Sequence, residues 1–440
     1  MAEQAGGRFL YGVSITLGAR VLGLAVAMLA SVIAARFLGP SGKGALAVIG
    51  LVSSLAIQLG DLGLHASTTY FTARDPEALP RIATLSLWIA ILMGTALSLL
   101  VLAVAWLFPH SLKEVPGRFL LIPVGLIPFG LVTLYFQNIL LGMQRLVAFN
   151  LVDLAGRGVG LLATIVLLPV LGLGVWELLV AGLAIAVGAT LVTVWLVVRK
   201  APPAMAIDRG LARDMLRYGM KFYLACLFAY LVIRIDLLMV NHFSGVTEAG
   251  IYSVTVAFAD ILYLLPMSIG TVLFPRIARD RVGEGHLTLK VCRYGVLLMA
   301  SVCLATGLLA RPIIVGLYGP AFAGSVPPLL WLLPGVFLLS IEAIVANDLA
   351  GRGYPAVLVG YWFLGLLLNV GLNLIAIPRW GATGAAAAST VTYGVMFGLV
   401  FRCFLAESGF PWRRALFLER AEIQQLYRSL RRLLAFQDAG

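Results

Sequence analysis

Apolar stretches long enough to cross a bilayer recur along almost the whole chain, and nothing else in the sequence constrains its fold as much. A helix needs about 20 consecutive apolar residues to span the hydrocarbon core. Within lipid each backbone N–H and C=O must find its partner inside the segment, so the spans are helices. Twelve are expected, at 9–36, 45–73, 82–108, 118–143, 147–171, 176–198, 217–243, 249–274, 288–310, 325–350, 355–378 and 382–406. Charged residues make up 12% of the chain, against about 25% in typical soluble domains, which excludes an ordinary water-soluble globule. The fold class is all-α, polytopic and membrane-spanning, with the first apolar segment reading as an uncleaved first helix.

The twelve spans read as two copies of six. The hairpin A-R-F-L-G-P-S-G-K-G-A-L-A-V at 35–48 returns as N-H-F-S-G-V-T-E-A-G-I-Y-S-V at 241–254, a shift of 206 that pairs Phe37 with Phe243, Gly39 with Gly245, Gly44 with Gly250 and Val48 with Val254. At a shift of 209, Asn138 and Gly142 match Asn347 and Gly351, and Pro169 and Gly172 match Pro378 and Gly381. Six spans per copy is an even number, so both copies enter from the same side, as in a parallel repeat about an axis along the membrane normal. The expected organisation is an N-terminal lobe at 1–200, a linker at 201–216, a C-terminal lobe at 217–406 and a tail at 407–440. In the tail, Leu416, Ile423, Leu426, Leu430 and Leu433 follow helical spacing, with Arg428, Arg431 and Arg432 mostly off that stripe. That pattern suits either an amphipathic helix on an anionic membrane surface or a segment packed on the protein's own face.

The chain carries a net charge of +12, and its distribution explains it. With the N-terminus placed in the cytoplasm, 23 Lys and Arg fall on the inner side and six on the outer side. Such asymmetry sets membrane orientation. Both termini are then cytoplasmic in an inner membrane, and a nucleic-acid reading drops away. Cys226, Cys292, Cys303 and Cys403 lack paired spacing, and His65, His110, His242 and His286 are scattered, so neither a metal site nor a cofactor is expected. No phosphate-binding loop or nucleophile elbow appears, so no enzyme is expected.

The residues that can carry chemistry are charges inside the spans. A charge at mid-bilayer costs about 2.5–3.5 kcal/mol on insertion scales and so faces a cavity or a partner. Arg20 and Arg234 lie on the first span of each copy, where they can receive an anionic head group, or else pair with Asp61, Asp236 or Asp260. Asp61, Asp260 and Glu342 are the acids that can line the cavity or take up a coupling ion. Asp153 and Arg157 stand at i, i+4 with the acid first, the favourable order for a structural ion pair. Asn369 and Asn373 share one helix face and suit hydrogen bonding between helices.

The motifs R-F-L-G-P-S-G-K-G at 36–44, E-A-G-I-Y-S-V at 248–254 and N-V-G-L-N-L-I-A-I-P-R-W-G-A-T-G-A-A-A-A at 369–388 resemble the polysaccharide-transporter branch of the multidrug/oligosaccharidyl-lipid/polysaccharide flippase superfamily. The resemblance implies a V-shaped twelve-helix fold with two lobes around a central cavity. It implies a polyprenyl-pyrophosphate-linked glycan as substrate, moved to the outer leaflet. Membrane lipids, a polysaccharide polymerase and glycosyltransferases are the partners such a role calls for. Lipid II flippases of the superfamily usually carry two further C-terminal helices that this chain lacks. A multidrug extruder of the same fold and a non-transporting scaffold of envelope assembly are the rival readings.

Overall fold

Glycines with positive φ divide this chain into its helices. Gly39 (φ 67°) and Gly245 (φ 88°) both take a left-handed φ with extended ψ, a conformation open to a residue without Cβ. Gly172 (φ 64°) and Gly381 (φ 54°), the second repeat-matched pair, also take a positive φ. The duplication seen in the sequence is thus a duplication of backbone breaks.

The computed structural model describes residues 2–108, 114–200, 202, 204, 208–279, 285–352, 357–419, 422 and 424, with helical backbone alone for 2–17, 221–222, 268–279, 285–287 and 351–352. Helix α1 (Ala2–Asp61) bends at Gly39 into two arms, 2–38 and 40–61. There follow α2 (Leu64–Arg74), α3 (Leu79–Leu107), α4 (Leu121–Gly142), α5 (Leu146–Ile165) and α6 (Val175–Val198). The second half holds α7 (Arg209–Ser244), α8 (Val246–Arg279), α9 (Gly285–Leu308), the short α10 (Ala310–Tyr318), α11 (Val326–Arg352) and α12 (Val357–Ser408), which bends at Gly381. A last short helix, α13 (Trp412–Leu416), follows. Ten of these segments are long and apolar enough to span a membrane. Two of the ten contain two arms each, so the spans number twelve among the described residues.

The twelve helices form two six-helix lobes in a V around a central cavity. Side-chain packing divides the same way. One buried apolar cluster runs from Ala56 to Met215 around Ile82, Leu131, Tyr135 and Ile139. A larger one gathers Tyr252, Tyr318, Ile344, Met396 and Phe404, and takes in Ala35, Val48, Leu51 and Leu55 from α1 where the lobes meet. In lipid, helices gain little from apolar burial and associate through close packing and hydrogen bonds. The C-terminal lobe has such a hub. Buried Asp236 on α7 accepts hydrogen bonds from Tyr252 on α8 (2.5 Å) and Ser389 on the second arm of α12 (3.1 Å). Asn373 donates to Asn369 at 2.9 Å on the first arm.

At the hairpin end the lobes touch backbone to backbone. A Cβ on Gly44 would sit 1.8 Å from the Val246 carbonyl oxygen, and one on Gly250 would sit 1.9 Å from that of Pro40. Arg36 Nε donates to the Leu317 carbonyl at 2.6 Å, and its Nη2 donates to the Gly316 carbonyl. Glu114 accepts from the Val246 amide at 3.3 Å, capping α8 from the other lobe. At the opposite end α2 meets α7, where Gly63 and Gly219 approach closely and Tyr70 stacks on Tyr218 with ring centroids 4.4 Å apart.

Two local features at this end bear on the expected linker and tail. The stretch expected as linker up to 216 is helical from Arg209, because Asp208 caps α7 by accepting from the Leu211 amide at 3.0 Å while pairing with Arg81 at 3.1 Å. The start of the tail lies against the C-terminal lobe. Ala415 is fully buried, and the buried Arg293 of α9 donates to Glu419 and Glu422, each at 2.9 Å, and to the Arg414 carbonyl at 3.0 Å. The rest of the expected stripe, Ile423, Leu426, Leu430 and Leu433, lies outside the described residues.

Candidate functional site

Three helical stripes wall a polar cavity where the lobes meet. Lys43, Ala47, Leu51 and Ser54 on the second arm of α1 are spaced four, four and three residues apart, so they share one face. Tyr230, Ile233, Arg234 and Leu237 on α7 repeat the pattern, as do Ser253, Val256, Ala257 and Asp260 on α8. Together with Asp236 they enclose about 320 Å³. The wall is therefore supplied by both lobes, just inside the glycine contacts that close the hairpin end.

Arg234 and Asp260 face each other across this space. Nη1 and Nη2 each donate to one carboxylate oxygen, both at 3.0 Å. The pair is partly exposed to the cavity, with 28% and 40% of the two side chains accessible. Paired guanidinium and carboxylate in fork geometry make strong charge-assisted bonds. Two residues further along α7, Asp236 borders the cavity with its carboxylate turned into the lobe, where it accepts from Tyr252 and Ser389.

The remaining sequence candidates lie elsewhere. Arg20 is exposed on the first arm of α1 and does not line the cavity. Gly23, one turn on, rests against the Arg157 side chain, so this part of α1 faces α5. Arg157 Nε donates to Asp153 at 3.0 Å, both side chains being about half exposed. Asp61 is buried in the turn between α1 and α2. It accepts from the Gly63 amide (3.2 Å), the His65 amide (3.1 Å) and His65 Nδ1 (2.5 Å), so it holds a helix break and does not face either arginine as the sequence allowed. Glu342 is buried in α11 away from the cavity wall, and its Oε1 has no hydrogen-bond partner among the described residues.

Lys43, one of the six cations read on the outer side, lines the cavity and carries no site assignment from the sequence. Helix α1 resumes directly after Gly39, which places Lys43 on the first turn of a span. The signal was present as the i, i+4, i+8 series of Lys43, Ala47 and Leu51. Its Nζ donates to Ser31 Oγ at 2.7 Å.

A family profile described as polysaccharide biosynthesis protein matches residues 33–327. Over 380 residues the chain is 24% identical to the succinoglycan biosynthesis transport protein ExoT of Rhizobium meliloti, covering 85% of this chain and 72% of that one. It is 25% identical over 260 residues to the amylovoran biosynthesis protein AmsL of Erwinia amylovora, covering 56% and 65%. An uncharacterized membrane protein of Methanocaldococcus jannaschii is 25% identical over 230 residues, covering 50% and 45%, so the chain spans about half the length of that relative. Among solved structures, an inward-facing multidrug resistance transporter aligns with a TM-score of 0.71 at 16% identity, over 88% of this chain and 94% of that one. The lipid II flippase MurJ in an inward closed conformation aligns with a TM-score of 0.71 at 14% identity, over 91% and 88%. At such identities these two likenesses speak to the fold.

Proposed function

The chain belongs to the polysaccharide biosynthesis protein family matched over residues 33–327, and from that premise we propose that it is an alternating-access flippase carrying a polyprenyl-pyrophosphate-linked oligosaccharide from the cytoplasmic to the outer leaflet. The observation that carries the reading is the polar cavity walled by both lobes and closed at one end by the Gly44 and Gly250 contacts. A space built from two rocking bodies changes its access when they tilt, and a fixed midplane site between repeats is the usual arrangement in secondary transporters.

The excess of Lys and Arg at the end opposite the hairpins supports cytoplasmic termini in an inner membrane. The hairpin end is then external, and the cavity is sealed from outside. With the α2–α7 contact at Gly63 and Gly219 parted, the head group enters from the cytoplasm while the prenyl chain stays in lipid. Arg234 is the cation assigned to the pyrophosphate, with Arg20, outside the cavity wall, as the second candidate. Asp260 holds the Arg234 guanidinium in place until an anion arrives. Of the acids, Glu342 suits a coupling role, because its carboxyl is buried within a span and its Oε1 has no hydrogen-bond partner among the described residues. A polymerase and glycosyltransferases would supply and consume the glycan.

The test is flipping of a fluorescent lipid-linked oligosaccharide in proteoliposomes. Arg234→Ala is expected to slow the initial rate about tenfold or more, the loss of one charge-assisted hydrogen bond. Undiminished flipping in both Arg20→Ala and Arg234→Ala would sink the pyrophosphate assignment. Export of cationic dyes with no flipping would transfer the protein to the drug-extruder class.

A further inference from the structure

Two cations line the central cavity, and they are held differently. Arg234 carries a carboxylate partner in fork geometry. Lys43, opposite it on α1, makes no ion pair among the described residues and rests on a hydroxyl. Asp236, the cavity's other acid, has its carboxylate engaged by Tyr252 and Ser389. An ammonium has three N–H donors, and one is used here. A cation inside a span without a counter-charge is costly unless water or an anion answers it.

We propose that Lys43 is the N-terminal-lobe half of an anion-binding site whose other half is Arg234, and that it receives a diphosphate-type head group by exchanging its bond to Ser31 for the ligand. The inference rests on the flippase reading above and adds to it the residue with which the N-terminal lobe holds the head group. The bond it gives up lies within α1, and Ser31, which also lies 3.4 Å from the hydroxyl of Tyr318 at the end of α10, keeps that contact with the other lobe when Lys43 turns to the anion.

A structural role and a ligand role for Lys43 predict opposite behaviour of its resting partner. If Lys43 serves to hold Ser31, then Lys43→Gln and Ser31→Ala act alike. If Lys43 serves the anion, Ser31→Ala frees it. The experiment is equilibrium dialysis of the purified full chain in detergent with two labelled probes, farnesyl pyrophosphate and inorganic pyrophosphate. The expected result is that Lys43→Gln weakens binding about tenfold or more, the contribution of a charge-assisted hydrogen bond. Lys43→Arg retains most of the affinity, and Ser31→Ala binds as tightly as wild type or tighter. Dependence on Lys43 with either probe supports the site, and the probe that binds better identifies a lipid-linked or a free anion. Unchanged binding in Lys43→Gln, weakening in Ser31→Ala equal to that in Lys43→Gln, or no binding of either probe by wild type would overturn it. Should Lys43→Gln lose its folded elution profile, the contrast between Lys43→Arg and Ser31→Ala decides alone. Lys43-dependent binding without any flipping of lipid-linked oligosaccharide would leave this site standing and remove the flippase reading. Normal flipping by Lys43→Gln would do the reverse.

Discussion

Along α7, Arg234 and Asp236 are two residues apart and so point to different sides of the helix. One charge is shared with the cavity, where the partner Asp260 and the ligand can compete for it. The other is buried as a hub for the C-terminal lobe. The same kind of carboxylate serves as a backbone anchor at Asp61 and as a helix cap at Asp208, so residue type alone does not assign the role. Asp208 lies outside the spans. Its carboxyl is held below the ordinary carboxylate range, first by the Leu211 amide and further by the Gly210 amide and Arg81. A depressed folded value means that the contribution is complete above the ordinary pKa of about 3.9 and is lost as pH falls through the lower folded value. The melting-temperature difference between wild type and Asp208→Ala is therefore expected to stay constant from about pH 8 to 5 and to close below about pH 4. A difference that widens on acidification would refute the cap.

Helix α9 and the segment after α12 are joined through one buried guanidinium. Arg293 serves the Arg414 carbonyl, Glu419 and Glu422, while Ala415 fills the apolar cluster of the lobe. Apolar burial and charge pairing therefore act on the same short strap. Removing Arg293 leaves Glu422 buried without its partner, and a hydrogen bond to a charged group is worth about 1.5–3 kcal/mol. Arg293→Ala is accordingly expected to release the segment beyond Ser408 to limited proteolysis at least about tenfold faster than in wild type. Equal cleavage rates would show that packing at Ala415 suffices.

For the molecule as a whole, the closure of the hairpin end depends on two glycines from two lobes. Their backbones meet where no Cβ fits, a contact that small residues make available between membrane helices. A methyl group at Gly44 or Gly250 forces the lobes apart there. Overpacking of this kind costs about 1–3 kcal/mol, enough to move a two-state equilibrium about fivefold or more toward the form open at that end. The distance between spin labels at the exposed Phe37 and Leu317 should lengthen correspondingly in Gly44→Ala and Gly250→Ala, with flipping reduced. An unchanged distance would mean that closure does not pass through these glycines.

Much of this architecture is written locally. The spans are fixed by the cost of bare backbone in lipid, which any apolar run of sufficient length must meet by forming a helix. The duplication shows because these turns take a positive φ, which favours glycine, and Gly39, Gly172, Gly245 and Gly381 fall at repeat-matched positions for that reason. The Asp153–Arg157 pair lies within one turn of one helix, so its spacing was visible in the sequence and the structure gives its distance. Contacts between distant segments were not visible in this way. Arg234 had three acids within reach on sequence grounds, and the crossing of α7 and α8 chooses Asp260. Asp61 had the look of a cavity acid until the break at Leu62 and Gly63 claimed its oxygens. Lys43 looked like a loop cation until the helix was seen to resume beneath Gly39. Hydropathy and glycine positions are properties of a segment and its solvent, and the sequence determines them alone. Which charge meets which depends on how two lobes are rotated and pressed together, and the tertiary structure alone decides that.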